Sequence, residues 1–410
     1  MKKNIIVGQS GGPTAVINAS LYGVIREGLA HPEEIGCVYG MINGIEGFLA
    51  DKYMNLSEEL SEDDLELLKL TPAAYLGSCR FKLPEDLSSE FYPTLFEKLE
   101  NLNIGAFFYI GGNDSMDTVS KLSRYARGID SDIRFIGIPK TIDNDPVLTD
   151  HTPGYASAAK YVASTVREIA LDASVYQQKS VTIVEIMGRH AGWLTAASAL
   201  ARKLEGDNPL LIYLPESPFE FEQFSADLTK AFEKNHTVIV CVSEGIADSS
   251  GHFICEYSNE AQLDTFGHKM LTGCGEILEN YIRNQFHVKV RSVELNVSQR
   301  CSGLAASATD IEEAAAAGRF GVQNALQGET GQMVSFKRRE NQEEQGYAMD
   351  CHLVDVDDVC NLEKTFPKEW ITENGTDIGP EFLSYALPLI QGEVSRRMEN
   401  GLPLYLYRKS

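Results

Sequence analysis

Six short apolar runs in this chain each stop at a turn rich in glycine, proline or charged residues. Asn4–Val7 leads to Gly11-Gly12-Pro13, Ala106–Ile110 to Gly111-Gly112, and Phe135–Ile138 to Pro139-Lys140. Val181–Ile186 leads to Met187-Gly188-Arg189, Leu210–Leu214 to Pro215-Glu216, and Val238–Val242 to Ser243-Glu244-Gly245. Runs this short and this apolar read as strands buried on both faces, as in parallel sheets. Ala15–Gly28, Ser115–Ala126 and Ala156–Leu171 carry the apolar spacing of helices between them. Strands alternating with helices are the signature of an α/β architecture. In open parallel sheets ligands bind at the carboxyl ends of the strands, so the six turns are where chemistry is to be sought.

The expected fold is therefore α/β: two doubly wound, Rossmann-like parallel sheets facing a shared cleft, followed by a C-terminal hairpin and helical extension. Leu56–Leu70 reads as one acidic helical stretch, and Phe266–Ile282 and Asp310–Leu326 as further helices. Val288–Val297 reads as a strand running into Ser298-Gln299-Arg300. Met333–Arg338 and Tyr347–Val354 pair as a hairpin around the charged loop RENQEEQG, and Pro380–Gly392 precedes the tail LPLYLYRKS. A length of 410 residues suits two or three domain-sized units, yet no repeat, linker or low-complexity tract separates them.

Charge excludes some functions. A net charge of −23 and a pI near 4.8 set up a field that repels nucleic acid and anionic membranes. An anionic substrate then needs a local cluster of Lys and Arg working against that field. The eight cysteines lie singly, without CxxC or His/Cys metal spacing, so reduced thiols are expected. The start MKKNIIVGQSGG goes straight into a strand and a glycine turn, and no apolar run approaches the roughly 18 residues of a membrane span. A cytoplasmic location is the expectation.

The densest chemistry lies between Gly105 and Asp145, a βαβ unit delivering Asp114, Lys140, Asp143 and Asp145 to one edge. For Asp143-Asn144-Asp145 alone an Asx-type turn is as good an explanation as a site. Lys140 on the same turn and Gly111-Gly112-Asn113-Asp114-Ser115 on the neighbouring strand favour a site. One carboxylate there suits a proton acceptor for a hydroxyl and the other a Mg²⁺ ligand in phosphoryl transfer. Arg80, Arg189, Arg291 and Arg300 stand at strand ends or turns, a natural clamp for a sugar phosphate. Glu244 suits a sugar hydroxyl, or equally a cap. His190 reads as structural rather than as a base. The glycine turn at Ser10-Gly11-Gly12 feeds a helix N-terminus and is a weak anion signal by itself.

Taken together and in order, SGG at 10–12, GSCR at 77–80, GGNDS at 111–115, PKTIDND at 139–145, MGR at 187–189, SEG at 243–245 and QR at 299–300 resemble the phosphofructokinases, over roughly residues 3–330. The resemblance implies transfer of a phosphoryl group to the 1-hydroxyl of fructose 6-phosphate. It assigns Asp143, Lys140 and Arg189 to catalysis. It implies a sugar-phosphate set of Thr141, Ile142, Asp143, Met187, Gly188, Arg189, Glu244, Arg291, Val297 and Arg300, with Arg291 reaching in from a neighbouring subunit. It implies a donor set of Gly11, Gly12, Arg80, Asp114, Ser115 and Lys140, and a Mg²⁺ site at Asn113 and Asp145. Residues 1–155 with 299–385 would form the donor domain, and 156–298 with 386–410 the fructose 6-phosphate domain, in a homodimer or homotetramer.

The departures point within the family. ATP-using members carry GGDGS and PGTIDND, whereas this chain has Asp114 and Lys140 in place of the two glycines. Asp114 puts a carboxylate where a nucleotide's inner phosphate would sit, and Lys140 adds a cation suited to a short, highly charged donor. That pattern is similar to the pyrophosphate-dependent phosphofructokinases. Asn113 stands for the family's metal-binding Asp and brings an amide oxygen without charge. Tyr22 replaces an arginine of the bacterial effector site, which argues against nucleotide allostery. An ATP-dependent phosphofructokinase and a catalytically silent regulatory subunit are the alternatives. Asp114 and Lys140 speak against the first, and intact Asp143, Asp145, Arg189 and Arg300 against the second.

Overall fold

The structure is a computed structural model describing residues 2–204, 206–257, 273–339, 346–372 and 374–408. Its strands are β1 (Lys3–Gln9), β2 (Ile35–Met41), β3 (Tyr53–Asn55), β4 (Ile104–Gly111), β5 (Arg134–Pro139), β6 (Ser180–Ile186), β7 (Leu211–Tyr213), β8 (Thr237–Ser243), β9 (Lys289–Glu294), β10 (Gln332–Arg338) and β11 (Met349–Asp355). The first sheet has seven strands in the order β11-β10-β5-β4-β1-β2-β3. Its interior is parallel, and each edge is closed by an antiparallel partner, β11 on β10 and β3 on β2. The second sheet is wholly parallel, β7-β8-β6-β9.

Side chains along the central strands alternate between two apolar layers. In β4, Ala106, Phe108 and Ile110 point to one core, shared with the helices Ile17–Ala30 and Ala308–Leu326. Phe107 and Tyr109 point to the other, shared with Phe91–Asn101 and Asn113–Gly128. The second sheet repeats the arrangement: Val184 and Ile186 face the helix Tyr155–Ser174, while Val181 and Ile183 face Phe221–Lys234 and Cys274–Phe286. Burial on both faces is why these strands read as unbroken apolar runs rather than as alternating ones.

Several expectations are corrected in detail. The acidic stretch is two helices, Leu56–Glu59 and Glu62–Leu70, because Ser61 caps the second with a reciprocal capping box to Asp64. The strand expected over 288–297 ends at Glu294, and the helix expected from Pro380 ends at Ala386. Of the helix expected at Phe266–Ile282, only the part from Cys274 lies within the described residues, and it continues to Phe286. The hairpin forms with Gln332–Arg338 against Met349–Asp355, and most of its loop lies outside the described residues. Phe366 and Phe382 pack into the core of the second sheet, whereas Leu406 packs against that of the first. The C-terminal segment thus crosses between the two sheets instead of following either. Among the described residues, all eight cysteines are free thiols and no helix is long and apolar enough to cross a membrane.

Candidate active site

On the first sheet, the turn after β1 is fixed by the neighbouring turn at 77–80. Gly11 N–H donates to the Cys79 carbonyl at 3.2 Å, and Ser78 Oγ donates to the Gly11 carbonyl at 2.6 Å. This holds Arg80 beside the glycine turn, with its charge sensed at Lys140. Lys140 N–H continues the β5–β4 pairing to the Gly111 carbonyl, and its Nζ reaches under the turn to the Gly12 carbonyl at 2.6 Å. Only 3% of Lys140 is exposed. A Cβ on Gly12 would lie 3.2 Å from Arg300 Nη1, so two cations bracket this glycine. Burial pulls the Lys140 ammonium down to about 8, with Arg300 and Arg80 adding to the fall and Asp143 and Asp145 opposing it. Asp114 is exposed on the first turn of Asn113–Gly128, while Ser115 is buried beside it.

The turn after β5 follows. Thr141 accepts the Asp143 N–H on its Oγ1 at 3.1 Å, Ile142 anchors in the second sheet's core, and Asn144 takes the left-handed conformation with φ 57°. An asparagine tolerates that conformation better than most residues. The turn therefore presents Asp143 and Asp145 to the cleft while Asn144 is fully buried. Burial raises the Asp143 carboxyl above the usual range against the attraction of Lys140 and Arg189, and the Glu363 carboxylate adds to the rise. Asp145 is pushed up to about 7 by burial and by the Asp143 charge. Asn113 donates from Nδ2 to the Leu362 carbonyl at 2.5 Å, and its buried Oδ1 has no hydrogen-bond partner.

The second sheet supplies the opposite wall. Met187 N–H donates to Gln299 Oε1 and Gly188 N–H to Glu244 Oε1, both at 3.3 Å. Ser243 Oγ donates to the Gly188 carbonyl, which ties the β6 turn to the β8 turn. A Cβ on Gly245 would sit 1.9 Å from the Arg189 carbonyl, so only glycine lets Glu244 and Arg189 approach. Burial raises the Glu244 carboxyl to about 8, with Asp143 pushing the same way and Arg189 opposing it. Asp143, Arg189 and Glu244 therefore share one field across the cleft.

Two expected residues are not brought in by a single chain. Arg291 is exposed on the edge strand β9, in register with Thr182, four residues before the end of β6. At roughly 3.3 Å per residue, that is about 13 Å from the site's edge along the strand. Val297 is 51% exposed, in the loop before the short helix Ser298–Cys301. The sequence reading missed others. Gln299, 1% exposed, holds the Met187 backbone, and its place beside Arg300 was the available signal. Glu363 pairs with His190, whose Nδ1 is 3.1 Å from Glu363 Oε2, and its charge is felt at Asp143 and Asp145. Nothing in its surrounding sequence marks it.

Comparison with known proteins places this geometry. The profile of the family described as Phosphofructokinase matches residues 4–325. The pyrophosphate–fructose 6-phosphate 1-phosphotransferase of Halomonas elongata is 38% identical over 403 residues, covering 98% of this chain and 94% of that protein. Its counterpart of the same name from Rhodospirillum rubrum is 39% identical, covering 95% of this chain and 94% of its own. The crystal structure of pyrophosphate-dependent phosphofructokinase from Marinobacter aquaeolei superposes with a TM-score of 0.88 at 36% identity, covering 98% of this chain and 95% of that one.

Proposed function

Because the chain belongs to the phosphofructokinase family, we propose that it moves a phosphoryl group reversibly from pyrophosphate to the 1-hydroxyl of fructose 6-phosphate. The products are fructose 1,6-bisphosphate and phosphate. The observation carrying this reading is the buried Lys140 ammonium beneath Gly12, bracketed by Arg300 and next to Asp143. That is a compact cationic recess suited to a donor whose charge is concentrated in two phosphates. The names of the full-length relatives agree with it.

In the forward direction Asp143 accepts the proton of the sugar's 1-hydroxyl as that oxygen attacks the near phosphorus of pyrophosphate. The bond from that phosphorus to the bridging oxygen breaks, and the far phosphate departs. Its raised affinity for a proton makes Asp143 a stronger base than an ordinary carboxylate. Lys140, Arg80 and Arg300 stabilise the charge gathering on the phosphoryl oxygens. Met187, Gly188, Arg189 and Glu244 hold the sugar, with Thr141 and Ile142 shaping the turn beneath it.

Mg²⁺ is the proposed cation, held by Asp145 and the Asn113 amide oxygen. The fit rests on the Asp145 carboxylate and on the buried, unpartnered Asn113 Oδ1. Oxygen ligands alone suit this ion, and among the described residues no three His, Cys, Asp or Glu side chains form a ligating cluster. Donor oxygens and water would complete its shell, as Mg²⁺ prefers. When bound, the ion neutralises phosphoryl charge.

We further propose a cytoplasmic homodimer or homotetramer in which Arg291 binds the sugar phosphate of an adjacent subunit. Sedimentation of nanomolar protein should then show at least a dimer, and Arg291→Ala should raise KM for fructose 6-phosphate. A fully active monomer contradicts this arrangement. The primary assay uses purified protein, fructose 6-phosphate and Mg²⁺ with pyrophosphate or ATP. Turnover only with ATP would overturn the donor reading.

Lys140 also sets a pH expectation. Its ammonium is charged below about pH 8 and neutral above. kcat/KM for pyrophosphate reports the free enzyme, so it should fall as pH rises through 8. Lys140→Arg, which keeps its charge, should remove that limb. A flat wild-type profile from about pH 7 to 9.5 would detach Lys140 from donor binding.

A further inference from the structure

We infer that Lys364 is the residue that sets the separation of the two halves of the active site. This rests on the phosphofructokinase reading of the site, but Lys364 lies outside the 4–325 match and in no motif quoted above. Its segment leaves β11, passes the N-terminus of the helix Asn113–Gly128 at the Asn113–Leu362 bond, and enters the second sheet's core at Phe366. Between these points Lys364 uses every polar group it has.

Its N–H donates to the Asp145 carbonyl at 2.6 Å. Its ammonium donates to the carbonyls of Thr149 and Asp150, both at 2.9 Å. The turn and the loop leaving it are thereby held at both ends by one residue, at Asp145 by its backbone N–H and at Thr149 and Asp150 by its ammonium. The Lys364 carbonyl accepts the Trp193 Nε1–H at 3.1 Å, and the ammonium lies 5.1 Å from the Trp193 ring centroid. Trp193 closes the Met187–Gly192 turn that carries Arg189. Lys364 therefore joins the turn that presents the base to the turn that holds the sugar phosphate. It touches no reacting atom in this arrangement and acts as a positioning residue. Tyr385 backs the same turn, accepting from Asn144 Nδ2 and donating to the Asp150 carbonyl, both at 2.9 Å.

A clamp of this kind affects the chemical step more than substrate capture, because a shift of about 1 Å between base and hydroxyl costs about 100-fold in rate. Lys364→Met keeps the length and apolar stem while deleting the ammonium. It should lower kcat about 100-fold while leaving KM for fructose 6-phosphate within about threefold. Lys364→Arg, which keeps a donor cation, should recover kcat to within about tenfold of wild type. A purely structural lysine would lower the melting temperature without this split. Folded Lys364→Met with near wild-type kcat, or with KM rising as much as kcat falls, overturns the inference.

Should Lys364→Met not fold, Trp193→Phe decides, since it removes the indole N–H from the cross-link while keeping an aromatic ring in the cluster of Tyr155, Phe366, Trp370 and Tyr385. A folded Trp193→Phe enzyme about tenfold lower in kcat at constant KM supports the clamp, and unchanged kcat overturns it. Each variant is compared with wild type on the donor wild type uses. An error in the donor reading would then appear in wild type, and an error in the clamp only in the variants.

Discussion

Asp143→Ser should lower kcat by about 10²–10⁴-fold, the span of a positioned acid–base group, while KM for fructose 6-phosphate moves less than about threefold. The expectation follows from where Asp143 stands. It shares the field of Arg189 and Glu244 from the opposite wall and that of Lys140 beneath it. In the proposed arrangement it faces both substrates, and the sugar phosphate is held by backbone and arginines that do not depend on it. In wild type, protonating Asp143 removes the base. The acid limb of kcat should therefore lie above the ordinary carboxylate range, because burial raises this carboxyl. A serine variant with wild-type turnover would remove Asp143 from the mechanism, and an equal loss in KM would make it a binding group.

How much of this was legible depended on whether the controlling interactions were local. Phe107 and Phe108 face opposite cores, so β4 had to be apolar throughout, and that is what a reader of sequence sees. The strand-end turns declared themselves because glycine, proline and charge interrupt apolar runs abruptly. The convergence of Asp143, Arg189, Glu244 and Arg300 follows from two parallel sheets facing one cleft. The helices Phe91–Asn101 and Phe221–Lys234 and the strand β2 went unread, lying between louder signals. β2 (IGCVYGM) is interrupted by two glycines, of which Gly36 is exposed near the sheet's edge.

Lys364 and Glu363 were invisible for a different reason. Their partners lie more than 170 residues away in sequence: the Trp193 indole N–H and the Asp145, Thr149 and Asp150 carbonyls for Lys364, and the His190 imidazole for Glu363. No periodicity records such a contact. Asn113 shows the same limit. As a motif position it reads as a weakened metal ligand, while its Nδ2 also ties the C-terminal segment down at Leu362, a bond that an aspartate carboxylate could not donate.

The double substitution Asp114→Gly with Lys140→Gly should turn donor preference toward ATP, where neither single change does. Lys140 and Asp114 act by different physics. The Lys140 ammonium is buried at the Gly12 carbonyl, and a charge-assisted hydrogen bond from it to pyrophosphate should contribute about 1.5–3 kcal/mol. Its loss should cost about 10–100-fold in kcat/KM for pyrophosphate. Asp114 is exposed on the first turn of its helix, where it is proposed to act by bulk and like charge against a nucleotide's inner phosphate. Asp114→Gly alone should admit ATP weakly and keep much of the pyrophosphate activity, since Lys140 remains. Lys140→Gly alone should cripple pyrophosphate use without giving good ATP use, since Asp114 still blocks. The two changes meet in one pocket, so their effects on ATP use should be strongly non-additive. Measuring kcat/KM for both donors in all four forms decides the matter. Wild type preferring ATP, or Lys140→Gly leaving pyrophosphate use untouched, would sink the donor assignment and leave the phosphofructokinase fold standing.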